Sequence, residues 1–258
     1  MAYEQIEAIA ACCPYTLHMI WVDYESGEQC GIRTQTAVAS ASLIKVPILS
    51  AVLAKVHREK RSLTEILPIA PSDYVEFSVV TEQQLTSITL LEALSWMMMT
   101  SDNTATNVCI RYVGMDACNA YFTEQGWHAT TLRRYMMDTA SRAAGIDNTT
   151  SAADCAAVFT ALYNGDLLNG EMNAIALDLL CKQRHADCLR RYIAEDIVIA
   201  HKTGELDDVV HDAGIFYLPH RHYFLAILLT DVKEVEEAKQ YIGRLSKAIY
   251  AGYKEEGR

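Results

Sequence analysis

The chain has 258 residues, 51% of them hydrophobic, and its 33 Asp and Glu outnumber 22 Lys and Arg to give a net charge of -11. That length suffices for one large or two modest domains around a substantial core. The acidic balance excludes a phosphate-gripping surface, which needs clustered Lys and Arg to release counterions, so nucleic acid is not an expected partner.

In chain order, Ile6, Ile9, Ala10 and Cys13 fall at helical spacing over residues 4–13, and Tyr15–Asp23 then alternates as a strand that turns at Glu25-Ser26-Gly27. A second strand follows near 30–38. From about 42 to 190 the signals are mostly helical. Ile44, Ile48, Leu49, Val52, Leu53 and Val56 mark a helix apolar on nearly every face, which must be central and buried. Thr89 and Glu92 form a capping box, Gly114 can end the helix after Tyr112, and Ser151 to Asp154 open a helix that stops at Asn164-Gly165. Ile197–Lys202, Val210–Leu218 and His222–Leu229 read as strands, with turns at Gly204–Asp208 and Pro219–Arg221. Val235, Ala238, Ile242, Leu245 and Ile249 then stripe a last helix. Strands at both ends imply an α/β (α+β) fold: residues 1–41 and 191–258 form an antiparallel sheet flanked by helices, and residues 42–190 form an inserted helical domain.

Eight cysteines show no disulfide framework and read as buried free thiols. His201, His211, His220 and His222 lie close in sequence but lack zinc-like pairing, so no metal or cofactor is expected. No run approaches the roughly 20 apolar residues of a membrane span. Residues 1–13 carry Glu4 and Glu7 where an export signal has positive charge. As written, the sequence is expected to be a cytoplasmic monomer; removal of an export signal from a precursor would instead make it secreted or envelope-bound.

Three short motifs carry chemistry. In Ser42-Leu-Ile-Lys45, the i,i+3 spacing brings an amine beside a hydroxyl, and Pro47 places both at a helix start, where developing negative charge on oxygen is favoured. About one Ser-x-x-Lys is expected by chance in a chain of this size. Ser101-Asp102-Asn103, between two helices, and Lys202-Thr203-Gly204, at a strand end, are each expected only about a few times in a hundred. Taken singly, Ser101 reads as a helix cap, Asn103 as a turn residue and Lys202 as a solvated charge.

In this order, the three motifs resemble those of class A β-lactamases and penicillin-binding serine hydrolases. The likeness extends to their surroundings: ASLIKVPIL, MTSDNTATN, IAHKTGEL and HDAGIFY. It implies a site between sheet and helical domain in which Ser42 is acylated, Lys45 takes part in its deprotonation and Ser101 relays a proton to the leaving nitrogen. Asn103 would bond the substrate's amide, and Lys202 and Thr203 its carboxylate. Backbone N–H groups of Ser42 and Glu205 would form the oxyanion hole, with Gly204 allowing close approach to the strand. The substrate would be a β-lactam or similar small acyl compound.

The pattern breaks at the loop LRRYMMDTASRAAGIDNTT. Relatives place a deacylating Glu ahead of a Thr-Thr segment; aligned on Asn148-Thr149-Thr150, that position holds Tyr135 or Met136. Asp138 is the nearest acid, and its plainer role is an ion pair with Arg134 or Arg142. Glu205, Asp207, Asp208 and Asp212 also make the carboxylate site acidic, with His201 and His211 as candidate compensating charges. The resemblance therefore implies a β-lactamase with a relocated base, or a penicillin-binding, D-alanyl peptidase-like or esterase-like hydrolase that deacylates slowly. A non-catalytic lactam sensor is the third alternative.

Overall fold

The structure is a computed structural model that describes residues 8–256, with side chains as far as Tyr253. Of the first expected helix, residues 8–11 are helical and 4–7 lie outside the described residues. Five strands form an antiparallel sheet in the order β2-β1-β9-β8-β7, from β1 (Thr16–Asp23), β2 (Gln29–Ile32), β7 (Val198–Leu206), β8 (Val209–Tyr217) and β9 (His222–Thr230). Both ends of the chain thus meet along β1 and β9, as the sequence pattern predicts. β8 and β9 are buried on both faces, which explains why β9 reads as a continuous apolar run.

The sheet separates two hydrophobic cores. On one face Leu225, Ile227 and Leu229 pack with Ala238, Ile242 and Leu245 of the C-terminal helix α9 (Val235–Glu256). On the other, Ala200, Ile215, Phe224 and Leu228 share a core with the helices. Those helices are α1 (Lys45–Glu59), α2 (Val79–Glu82), α3 (Leu90–Met99), α4 (Asn103–Val113), α5 (Met115–Glu124), α6 (Thr139–Ala143), α7 (Ala152–Asn164) and α8 (Gly170–Cys181). Every side chain of α1 from Lys45 to Leu53 is buried, as its all-round apolar sequence requires. Thr89 and Glu92 make the expected reciprocal cap, and Gly165 ends α7 in a left-handed conformation.

Several expectations are corrected. The second strand divides: β2 stops at Ile32, and β3 (Val38–Ala39) pairs instead with β6 (Thr149–Thr150). A small hairpin, β4 (Ile66–Pro68) with β5 (Ser87–Thr89), interrupts the helical region. β7 continues through Lys202-Thr203-Gly204 to Leu206, because the ladder persists from Thr203 opposite Asp212 to Leu206 opposite Val209. Only Asp207-Asp208 remains as the turn; the glycine and acidic residues around Leu206 concealed four further residue pairs. No disulfide joins the eight cysteines, but only Cys109, Cys118, Cys155 and Cys188 are buried, while Cys12 and Cys181 are exposed. No helix among the described residues is long and apolar enough to cross a membrane.

Candidate active site

Strand pairing and one close approach set the position of Ser42. β3 is fixed against β6, Ser40 N donates to Asn148 O at 2.8 Å, and His211 Nε2 on β8 donates to Ala39 O at 2.8 Å. The chain then turns through Ala41 at φ 44°, a strained value for a residue with a Cβ, into the 3-10 turn Ala41–Ile44 that leads into α1. A Cβ on Gly204 would stand 3.1 Å from both Ser42 N and Ala41 Cβ. Glycine therefore lets β7 lie directly against the turn that carries Ser42, a more immediate reason for Gly204 than substrate approach. Ser42 opens with Ser101, Asn103, Thr203, Gly204 and Glu205 onto a cavity of about 220 Å³ between sheet and helices.

Lys45 and Lys202 stand behind this cavity, fully buried, and converge on Ser101. Lys45 Nζ donates to Ser101 O at 2.7 Å, Ser101 Oγ at 3.0 Å and Asn103 Oδ1 at 2.9 Å. Lys202 Nζ donates to the same Ser101 Oγ at 3.0 Å and to Thr203 O at 2.8 Å. Ser101 itself adopts φ 59°. Asp102, not Ser101, caps α4 by accepting from Ala105 N at 2.8 Å, which leaves the serine hydroxyl free for the site. A hydroxyl has two acceptor lone pairs and one proton. With both lone pairs facing lysine amines, the Ser101 proton is left for a third partner.

Burying two amines this close lowers the proton affinity of both. Desolvation, reinforced by the charge of Lys202 and opposed by Asp102, holds Lys45 well below the ordinary lysine range. Burial lowers Lys202 to about 7, with Asp212 opposing. The lowered proton affinity lets Lys45, one turn along from Ser42, give up a proton more readily, and an amine that has done so can accept the proton of the serine, the chemistry needed to activate it.

The structure places Asp138 elsewhere. It caps α6, accepting from Ser141 N at 3.0 Å and from Ser141 Oγ at 2.6 Å, and these hydrogen bonds hold its carboxyl below its ordinary value. It lines a separate cavity with Asp73, Asn107 and Arg111. The expected ion pair is also different: Arg134 bonds Asp147 at 2.7 Å, and Arg142 bonds Asp147 at 3.3 Å and also Asp208. Tyr135 is exposed, whereas Met136 is buried, its backbone N–H donating to Asn107 Oδ1 at 2.8 Å. Asn103 and Asn107 lie one turn apart on α4, so of the two candidates Met136 has its backbone moored beside the Lys45 contact.

Two features escaped the sequence reading. His201 Nδ1 and Asp212 Oδ1 form a buried pair at 3.0 Å, with Asp212 Oδ2 accepting from Leu189 N at 3.0 Å. Only the strand register, which sets Asp212 opposite Thr203, brings the two together. His211 supplies no charge, since burial lowers it to about 4. Lys239, on the last helix, reaches the cavity and bonds Glu205 at 2.7 Å and Asp187 at 2.8 Å. The acidic rim is therefore largely paired: Glu205 with Lys239, Asp208 with Arg142 and Asp212 with His201.

Fold and site together define a class A-like serine hydrolase. The chain belongs to the β-lactamase enzyme family, whose model matches residues 1–253. A β-lactamase of Rhodobacter capsulatus is 30% identical over 167 residues, 63% of this chain but only 57% of that enzyme. One from Bacteroides uniformis is 25% identical across 90% of this chain and 83% of its own. Among solved structures, PBP-A superposes with a TM-score of 0.90 at 26% identity, covering 98% of this chain and 95% of PBP-A. A leucine-to-glutamate variant of PBP-A, solved as an acyl-enzyme complex with penicillin G, gives 0.89 at 25% identity, covering 98% and 96%. The β-lactamase from Sphaerobacter thermophilus gives 0.87 at 26%, covering 96% and 97%.

Proposed function

We propose that Ser42 is acylated by β-lactams and related small acyl compounds, and that the acyl-enzyme deacylates slowly, a penicillin-binding behaviour within a β-lactamase-family hydrolase. The observation that carries this reading is the convergence of Lys45 and Lys202 on Ser101 Oγ, both at 3.0 Å, beside the cavity that Ser42 lines. Lys45 takes the Ser42 proton, and Ser101 delivers a proton to the nitrogen that leaves when the lactam ring opens. Asn103 binds the substrate's amide. Lys202, Thr203 and Gly204 form the wall along which its carboxylate end lies. Backbone N–H groups of Ser42 and Glu205 stabilise the oxyanion. Deacylation needs a base, and Asp138, with its carboxylate committed to Ser141, is not arranged to act as one.

Labelling with a fluorescent penicillin tests this reading. Peptide mapping is expected to find the label on Ser42, and Ser42→Ala is expected to reduce labelling by at least about 10³-fold. A folded parent protein that takes no label would refute it.

A further inference from the structure

An anionic substrate needs a cation that faces it. Lys45 and Lys202 are fully buried, their donors directed to Ser101, Asn103 and Thr203 O. Among the described residues that line the cavity, Lys239 is the one lysine or arginine. Its ammonium has three donors, and Asp187 and Glu205 engage it from two sides. Burial opposes its charge, but hydrogen bonds and attraction from those two carboxylates outweigh burial and keep it protonated. Glu205 and Thr203 stand two residues apart on β7, hence on one face of the strand, so Lys239 and the Thr203 hydroxyl border the same end of the groove.

We propose that Lys239 is the residue that selects anionic substrates at this site, with the Glu205 carboxylate as an internal competitor for the same ammonium. The inference rests on acylation at Ser42. Glu205 suits this part because its side chain is 49% exposed and a half-exposed ion pair is readily exchanged. Asp187 holds Lys239 in place independently. A substrate carboxylate thus exchanges one carboxylate for another at Lys239, leaving the charge of the trio unchanged, while the displaced Glu205 turns to solvent. A neutral ester of the same substrate has no claim on Lys239.

The test compares second-order acylation rates, read by intact-protein mass, for penicillin G and its methyl ester. In Lys239→Met the anion-to-ester ratio is expected to fall about tenfold, as loss of a charge-assisted contact predicts. In Lys239→Arg the ratio holds within about twofold, and in Glu205→Gln it rises several-fold. Ratios unchanged in both Lys239→Met and Glu205→Gln overturn the proposal. Should Lys239→Met fail to fold, an unchanged ratio in Glu205→Gln overturns it and a raised one supports it. No adduct from either compound on the parent protein overturns acylation at Ser42 itself, a failure distinct from equal ratios.

Discussion

Around Ser101, side chains from two elements point at one hydroxyl: Lys45 from α1 and Lys202 from β7 both donate to it, and Asn103 on α4 accepts a further Lys45 bond. In the loop of residues 131–150 several polar side chains serve the loop itself. Asn148 accepts from the backbone of Arg133 and Arg134, Asp147 pairs with Arg134 and Arg142, and Asp138 caps α6. Both regions are firmly tied, but to different ends. The first keeps two amines buried at an electrostatic cost beside a cavity; the second leaves an apolar residue, Met136, where its backbone is moored to α4. On the proposed function, the two regions differ in what they supply: the first brings amines to Ser101 for acylation, and the second carries no base at Met136 for deacylation.

The largest expected effect comes from giving the loop a base. Met136→Glu is expected to shorten the lifetime of the penicillin adduct by about 10²-fold or more, within the usual range for a positioned proton acceptor, measured as decay of the adduct mass. No change in a folded variant would place the limit on deacylation elsewhere.

Next is the electrostatic cost of the Ser101 corner. Lys202 titrates near 7 when folded and at the ordinary 10.5 when unfolded, so between these pH values the unfolded chain binds more protons and stability rises with pH. This contribution is lowest at and below pH 7 and is fully recovered near 10.5, with a slope of up to about 1.4 kcal/mol per pH unit. Lys202→Met removes the charge. Its stability advantage over the parent in urea unfolding should therefore shrink as pH rises from 7 to 10; an advantage independent of pH would contradict the assigned cause.

The smallest effect sharpens the contrast from the loop side. Asp138→Ala is expected to lower stability modestly through loss of a helix cap, read as a reduced urea midpoint, while leaving the adduct lifetime unchanged. A longer lifetime would return Asp138 to the role of base.

Much of the corner around Ser101 was legible in sequence because its residues lie in three short motifs, each read together with a local element. Ser42 and Lys45 share one turn, Ser101 and Asn103 flank a cap, and Lys202 to Gly204 follow an apolar strand. What escaped was set by pairing over long sequence separations. Lys239 lies far from Glu205 along the chain and looks like an ordinary charged helix residue, and His201 and Asp212 meet only through the β7–β8 register. Asp138 misled for the opposite reason: its tie to Ser141, three residues on, is a local cap, but two nearby arginines made an ion pair look plainer.

The central claim, complete acylation without a placed deacylating base, is tested most directly by intact mass over time after mixing the parent protein with excess penicillin G and removing the unreacted compound. The account predicts one adduct per chain, on Ser42, that persists long after removal. Rapid return to the unmodified mass with release of hydrolysed penicillin would contradict it.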